Sequence, residues 1–100
     1  MYKAKKGFKL RALGNEFILV GESIEQINFN KMLTMNETAA FLWHQVNEEH
    51  SFPKFDASYL AERLCAEYEV TQEQALKDSE ATILSWQNAG IIEQLSADTL

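Results

Sequence analysis

The sequence predicts an α+β fold in which a three-stranded antiparallel sheet is followed by a bundle of three helices. In the first third of the chain, residues 7–13 and 24–30 alternate between apolar and polar, which is the period of a half-buried strand, and residues 17–20 form an apolar run of strand-favouring residues. Over the remaining two thirds apolar residues recur at i, i+3, i+4 and i+7, the period of an amphipathic helix. The chain has 100 residues. This length suits one compact domain, whose core we expect at about residues 7–93.

The three predicted strands cover residues 7–13, 17–20 and 24–30. A turn between the first two is predicted at Leu13-Gly14-Asn15, because Gly and Asn tolerate positive φ. In the third strand, alternation places Ile27 and Phe29 on one face. Short connections make an antiparallel meander the natural arrangement, and such a sheet needs helices to cover its apolar face.

Each predicted helix begins at a polar residue that can cap it. The first helix has two competing caps: Thr34, which has capping-box spacing to Glu37, and Asn36. The second helix is predicted to start at Asp56, and the third at Thr71, which again has capping-box spacing.

Apolar stripes define the inner face of each helix. Gly90 should end the third helix, and residues 91–95 should form a short strand or a docked tail. Trp43 is expected in the core, whereas Trp86 either closes the core or walls a groove. Three helices joined by tight turns beside a small sheet suggest a winged helix-turn-helix arrangement. The stripe positions are Ala39, Leu42, Trp43 and Val46, then Leu60, Leu64 and Tyr68, then Ala75, Ser79, Thr82, Ile83 and Trp86.

Composition and charge exclude several classes of protein. The single cysteine, Cys65, cannot form an internal disulfide, and no apolar stretch reaches the ~20 residues of a membrane span, so we expect a cytoplasmic location and no membrane partner. The net charge is −6, yet residues 1–11 carry five bases and no acid. That basic start is either a fraying terminus or a patch for acidic groups. The acidic remainder disfavours nucleic acid as a partner.

Candidate chemical groups are few, and the sequence predicts neither a metal, a cofactor nor an enzyme. His44, His50 and Cys65 lack the spacing of metal ligands. Cys65 lies in an apolar stripe and is expected to be structural. The glycines separate elements and form no phosphate-binding loop.

Binding is therefore the expected activity, and three kinds of partner stay open. A winged-helix regulator would read DNA with the third helix, but its three acids against one base oppose this. The edge of the predicted third strand could accept an extended peptide as an added strand, unless residues 91–95 cover it. An accessory subunit would instead use this edge to bind a folded protein.

Several motifs, in order, resemble the PqqD family. The family pattern begins with a strand pair, which this chain matches with F-I-L-V at residues 17–20 and I-N-F-N at 27–30. The start of the family's first helix is similar to M-N-E-T-A-A-F-L-W at residues 35–43. L-A-E-R-L-C-A-E-Y-E-V at 60–70 resembles its second helix, and residues 78–92 resemble its ending. The chain lacks the proline often present near the family's first strand, and its loop at 47–55 is longer than usual.

The resemblance implies a RiPP recognition element, which binds the leader segment of a ribosomally made precursor peptide and presents it to a modifying enzyme, often a radical SAM protein. It implies a peptide added along the third strand and against the third helix. The predicted peptide-binding positions on the helix are Leu76, Lys77, Glu80, Ile83 and Leu84. On the strand, which runs from Ile24 to Asn30, they are Gln26, Asn28 and Asn30 or, if the register is shifted by one residue, Ile27 and Phe29. The oligomeric state stays open between a monomer and a homodimer paired through the exposed strand edge.

Overall fold

A computed structural model describes residues 1–21 and 33–95. It confirms the predicted fold class, with a three-stranded antiparallel sheet and three helices. The described strands are β1 (Tyr2–Ala4), β2 (Phe8–Leu13), β3 (Glu16–Gly21), β4 (Leu33–Met35) and β5 (Ile92–Gln94), and the helices are α1 (Glu37–Val46), α2 (Ala57–Glu67) and α3 (Gln72–Ala89).

A tight hairpin joins β2 to β3, as the sequence predicts. Leu13 pairs with Glu16, so only Gly14 and Asn15 lie in the turn. Gly14 has φ +64°, which is the positive φ that a type II′ hairpin requires at its first central residue. The turn therefore fixes the register that directs Leu19 into the core, where it is fully buried.

The third described strand of this sheet is β4, which pairs with β3 in the order β2-β3-β4. The predicted strand at residues 24–30 lies outside the described residues. Thr34 is part of β4, so its predicted role as a helix cap is wrong. The competing cap is correct, because the Ala39 N–H donates to Asn36 Oδ1 at 2.8 Å. The sequence missed β4 because its three residues directly abut the helix cap.

The basic N-terminus is an ordered strand, and its interpretation as a fraying terminus is wrong. β1 pairs with β5, with Lys3 opposite Glu93. Tyr2 also exchanges two backbone hydrogen bonds with Phe55, at 2.7 and 2.9 Å. The predicted strand near residues 91–95 is thus confirmed, and its partner is the start of the chain.

Helices α2 and α3 begin at the predicted caps, and α3 ends at the predicted glycine. Asp56 accepts from the Tyr59 N–H at 2.9 Å, and Thr71 accepts from the Gln74 N–H at 3.1 Å. Gly90 ends α3 in the left-handed conformation, and its N–H donates to carbonyl oxygens of the last helical turn. These bonds satisfy backbone groups that a helix end otherwise leaves unpaired.

The core is centred on two tryptophans from different helices. Trp43 of α1 and Trp86 of α3 are 1% and 2% exposed, and their rings meet edge to face with centroids 5.3 Å apart. Phe55 packs edge-on against Trp86 at 6.3 Å. The predicted core role of Trp43 is confirmed, and Trp86 belongs to the same core, which fixes α3 relative to α1.

Candidate functional site

A groove of about 460 Å³ runs between β4 and α3. One wall comes from β4 and the start of α1, and the other comes from one flank of α3. Its described lining residues are Leu33, Thr34, Met35, Asn36, Thr38, Ala39, Asp78, Ala81, Thr82, Ser85 and Trp86.

Core residues line the bottom of this groove. Met35 and Trp86 both line it, and each is only 2% exposed. Trp86 is held edge-on between Trp43 and Phe55. Because close-packed side chains of this kind cannot move independently, the groove has a fixed apolar floor. Trp86 therefore meets both of its predicted alternatives: it closes the core and also walls a groove.

The α3 wall consists of small and polar side chains. Asp78, Ala81, Thr82 and Ser85 line the groove, and their spacing of i, i+3, i+4 and i+7 places them on one helix flank. The Thr82 hydroxyl donates to the Asp78 carbonyl oxygen at 2.8 Å, so it is bonded to its own helix. At 1.5 Å of rise per residue, this wall is about 12 Å long from Asp78 to Trp86.

The opposite wall carries a sheet edge. β4 pairs with β3 on one side, and no strand within residues 1–21 or 33–95 pairs with its other side. The tail considered as a cover, residues 91–95, contributes β5, which pairs with β1 instead. A strand edge offers alternating N–H and C=O groups to an extended chain, and all three residues of β4 line the groove.

The predicted peptide-binding residues of α3 are not among the described lining residues of this groove. All six strand positions, Ile24, Gln26, Ile27, Asn28, Phe29 and Asn30, lie outside the described residues. On α3, the predicted positions occupy other flanks. Glu80, Ile83 and Leu84 line a second concavity of about 550 Å³, Leu76 lines a third against α2, and Lys77 is exposed.

Helix phase explains why the sequence missed the groove flank. The groove positions of α3 lie on one side of its buried stripe, and most of the predicted positions lie on the other side or face solvent. The prediction favoured large and apolar side chains such as Leu76 and Leu84, which are 39% and 60% exposed. A recurring set of small residues at helical spacing, Ala81, Thr82 and Ser85, was the signal available in the sequence.

Asp78 is the one ionisable side chain among the described lining residues of the groove. It lies at the end of the α3 wall nearest the N-terminus of that helix. Gln74 orients it, since the Gln74 Nε2 donates to Asp78 Oδ1 at 2.9 Å. The remaining described lining is neutral, so the fixed charge on these walls is negative.

The other reactive side chains have structural partners. His44 Nδ1 and the Glu49 carboxylate lie 2.8 Å apart, and His50 Nδ1 lies 2.9 Å from the His44 carbonyl oxygen. The half-buried Cys65 thiol faces the Val70 carbonyl at 3.6 Å. Across residues 1–21 and 33–95, no three His, Cys, Asp or Glu side chains are placed to hold a metal ion. No helix in the same ranges is long and apolar enough to cross a membrane.

Fold and groove together define a small α+β domain in which a strand edge and a helix flank face each other across a fixed apolar floor. The chain belongs to the PqqD family: residues 16–92 match the sequence profile of coenzyme PQQ synthesis protein D. The matched range runs from β3 into the start of β5 and includes both walls of the groove.

Two solved structures share this fold. TbiB1, solved in complex with the TbiA(beta) leader peptide, is 15% identical with a TM-score of 0.69, and the match covers 94% of this chain and 98% of that one. Lasso peptide synthetase B1, complexed with the leader peptide, is 17% identical with a TM-score of 0.66, covering 93% and 98%. No curated protein matches this chain at a significant level.

Proposed function

We propose that this chain binds the leader segment of a ribosomally synthesised precursor peptide and presents it to a modifying enzyme, for which a radical SAM protein is one candidate. The observation that carries the proposal is the groove between β4 and α3. Membership of the PqqD family supports it, as do the two leader-peptide complexes with the same fold. The chain acts as an adaptor in the cytoplasm and performs no catalysis.

In this mechanism the leader adds to the sheet as a strand beside β4. Main-chain hydrogen bonds to the strand edge supply affinity, and alternate leader side chains point into the groove and supply selectivity. A strand advances about 3.3 Å per residue, so the 12 Å wall on α3 accommodates roughly three to four leader residues. The fixed floor at Met35 and Trp86 limits the size of the side chains that enter.

A pair of adjacent variants tests which flank of α3 contacts the leader. Ser85 lies in the groove, whereas Leu84 lies on the flank predicted from the family resemblance. Both side chains are exposed, so arginine is accommodated at either position without disturbing the core. We expect Ser85→Arg to weaken binding of a synthetic leader peptide at least tenfold and Leu84→Arg to leave it nearly unchanged.

The measurement is isothermal titration of each purified variant with the leader of the precursor encoded beside this chain, together with amide shifts by NMR. Shifts at β4 and along Asp78 to Ser85 are the expected result. If only Leu84→Arg loses binding, the leader contacts the helix positions predicted from the family resemblance, and residues 24–30 are the predicted other wall of that site. Failure of the folded wild-type chain to bind the leader would refute the proposed function.

Strand addition and the adaptor role have separate tests. In an added strand only every second leader amide faces the partner strand. N-methylation at those positions should abolish binding, and N-methylation at the intervening positions should be tolerated. Equal tolerance in both sets would argue against an added strand. For the adaptor role, mass spectrometry should find the precursor unmodified by this chain alone, and modified by the enzyme faster when the chain is present.

A further inference from the structure

We propose that Asp78 makes this groove selective for leader segments that place a lysine or arginine in the three to four residues held beside β4. This inference rests on the proposed function and names the class of peptide that the site accepts. Asp78 is the specificity-determining residue in this view, and its partner is a cation on the leader.

The first argument is the composition of the groove. Its described lining contains aliphatic, hydroxyl and amide side chains, one indole, and a single carboxylate at Asp78. No lysine, arginine or histidine is among these lining residues. A leader carboxylate placed here would therefore face a negative charge with no compensating positive charge among the described lining residues, which costs binding energy through repulsion and desolvation.

The second argument is the way in which Asp78 is held. Gln74 lies one turn earlier on α3 and donates to Asp78 Oδ1, and the described residues give the other carboxylate oxygen no hydrogen bond. The carboxylate is thus oriented, and its second oxygen can accept a further hydrogen bond. A charge-assisted hydrogen bond from an ammonium or guanidinium group suits this acceptor.

The third argument is the field of the whole chain. The net charge is −6, and the five bases of residues 1–11 lie on β1, on β2 and between them, whereas the groove is walled by β4, α1 and α3. A negative field raises the association rate of a cationic peptide and is screened by salt. Binding should therefore weaken with ionic strength in the wild-type chain, and less so once Asp78 is neutralised.

The chain offers a matched control for Asp78 on the same helix. Glu80 is also an exposed carboxylate of α3, but it lines the second concavity and not the groove. Asp78→Asn and Glu80→Gln change the net charge equally and preserve the shape of each side chain. An effect of overall charge should weaken leader binding in both variants, whereas loss of a direct contact should weaken it only in Asp78→Asn.

The experiment is a double-mutant cycle on leader binding by isothermal titration. The protein is wild type, Asp78→Asn or Glu80→Gln, and the peptide is the leader of the adjacent precursor, either unchanged or with each basic residue replaced by glutamine in turn. We expect Asp78→Asn and one peptide substitution each to weaken binding about fivefold, and the two together to weaken it no further. Glu80→Gln should stay within a factor of two.

A charge exchange completes the test. Asp78→Lys should reject the natural leader, and replacing the identified basic residue with glutamate should restore binding. A leader that binds wild type and Asp78→Asn equally, or whose critical segment holds no basic residue, would overturn the inference and leave the proposed function standing. A leader that binds none of the folded proteins would overturn both.

Discussion

Replacing Trp86 with alanine should remove a large part of the stability of this protein, because Trp86 packs α3 against α1 and against the segment that precedes α2. Its side chain is 2% exposed and packs edge-on against Trp43 at 5.3 Å and Phe55 at 6.3 Å. Buried Trp→Ala substitutions cost about 3–5 kcal/mol, and each lost aromatic pair accounts for about 0.5–1.5 kcal/mol of such a loss. A domain of this size has only ~5–15 kcal/mol in total.

The assay is urea unfolding followed by far-ultraviolet circular dichroism, which does not depend on tryptophan emission. With a slope of about 2 kcal/mol per molar urea, a loss of ~4 kcal/mol lowers the midpoint by about 2 M. Leu84→Ala is the control, because Leu84 lies two residues earlier on α3 and is 60% exposed, so its cost should stay within about 0.5 kcal/mol. Equal midpoints for the two variants would refute the assignment of Trp86 to the core.

Three further predictions concern single residues outside this pair. Asp56→Ala removes the helix cap that accepts from the Tyr59 N–H, and it should lower stability by about 1 kcal/mol, or roughly 4–8 °C in Tm. Asp56→Asn should keep most of that stability, because asparagine also caps helices. Equal losses in the two variants would argue against capping. Gly90→Ala places a residue with a Cβ at φ +78°, and that Cβ meets no atom within 4 Å. The expected loss of about 1 kcal/mol therefore comes from backbone strain. Gly90→Asn should lose less, and thermal unfolding measures both variants. Burial raises the pKa of the Tyr68 phenol, and repulsion from Glu37 and Glu67 raises it further. The fold therefore favours the neutral phenol. The resulting contribution to stability is complete below the ordinary pKa of about 10 and is lost as pH rises through the pKa of the folded state. Tyr68→Phe should therefore lose less stability than wild type under alkaline unfolding, and an unshifted tyrosinate absorbance titration would contradict this.

Local signals in the sequence predicted most elements correctly. Period-two alternation located β2, a continuous apolar run located β3, and the Gly14-Asn15 turn set their register. Capping residues located α2 and α3 because each bond is made within three residues, as in Asp56 to Tyr59. The apolar stripe of α1 likewise placed Trp43 in the core. These features depend on neighbours in sequence, so a single chain carries enough information for them.

The groove depended on information that lies between distant segments. β4 has three residues, too few for a period to appear, and its strand character comes from pairing with β3. β1 likewise forms only because β5, about ninety residues later, returns beside it. Neither β1 nor β4 carries a periodic pattern that marks it as a strand.

The sequence by itself determined the α+β class, strands β2 and β3, the caps of α2 and α3 and the resemblance to the PqqD family, since each follows from local composition and spacing. Only the tertiary structure decided that β4 lines the groove, that Asp78, Ala81, Thr82 and Ser85 are the flank of α3 that faces it, and that Leu76 and Leu84 face elsewhere. The physical reason is the rotation of α3 about its axis. Packing of Trp86 against Trp43 and Phe55 sets that rotation, and with it which side chains line the groove.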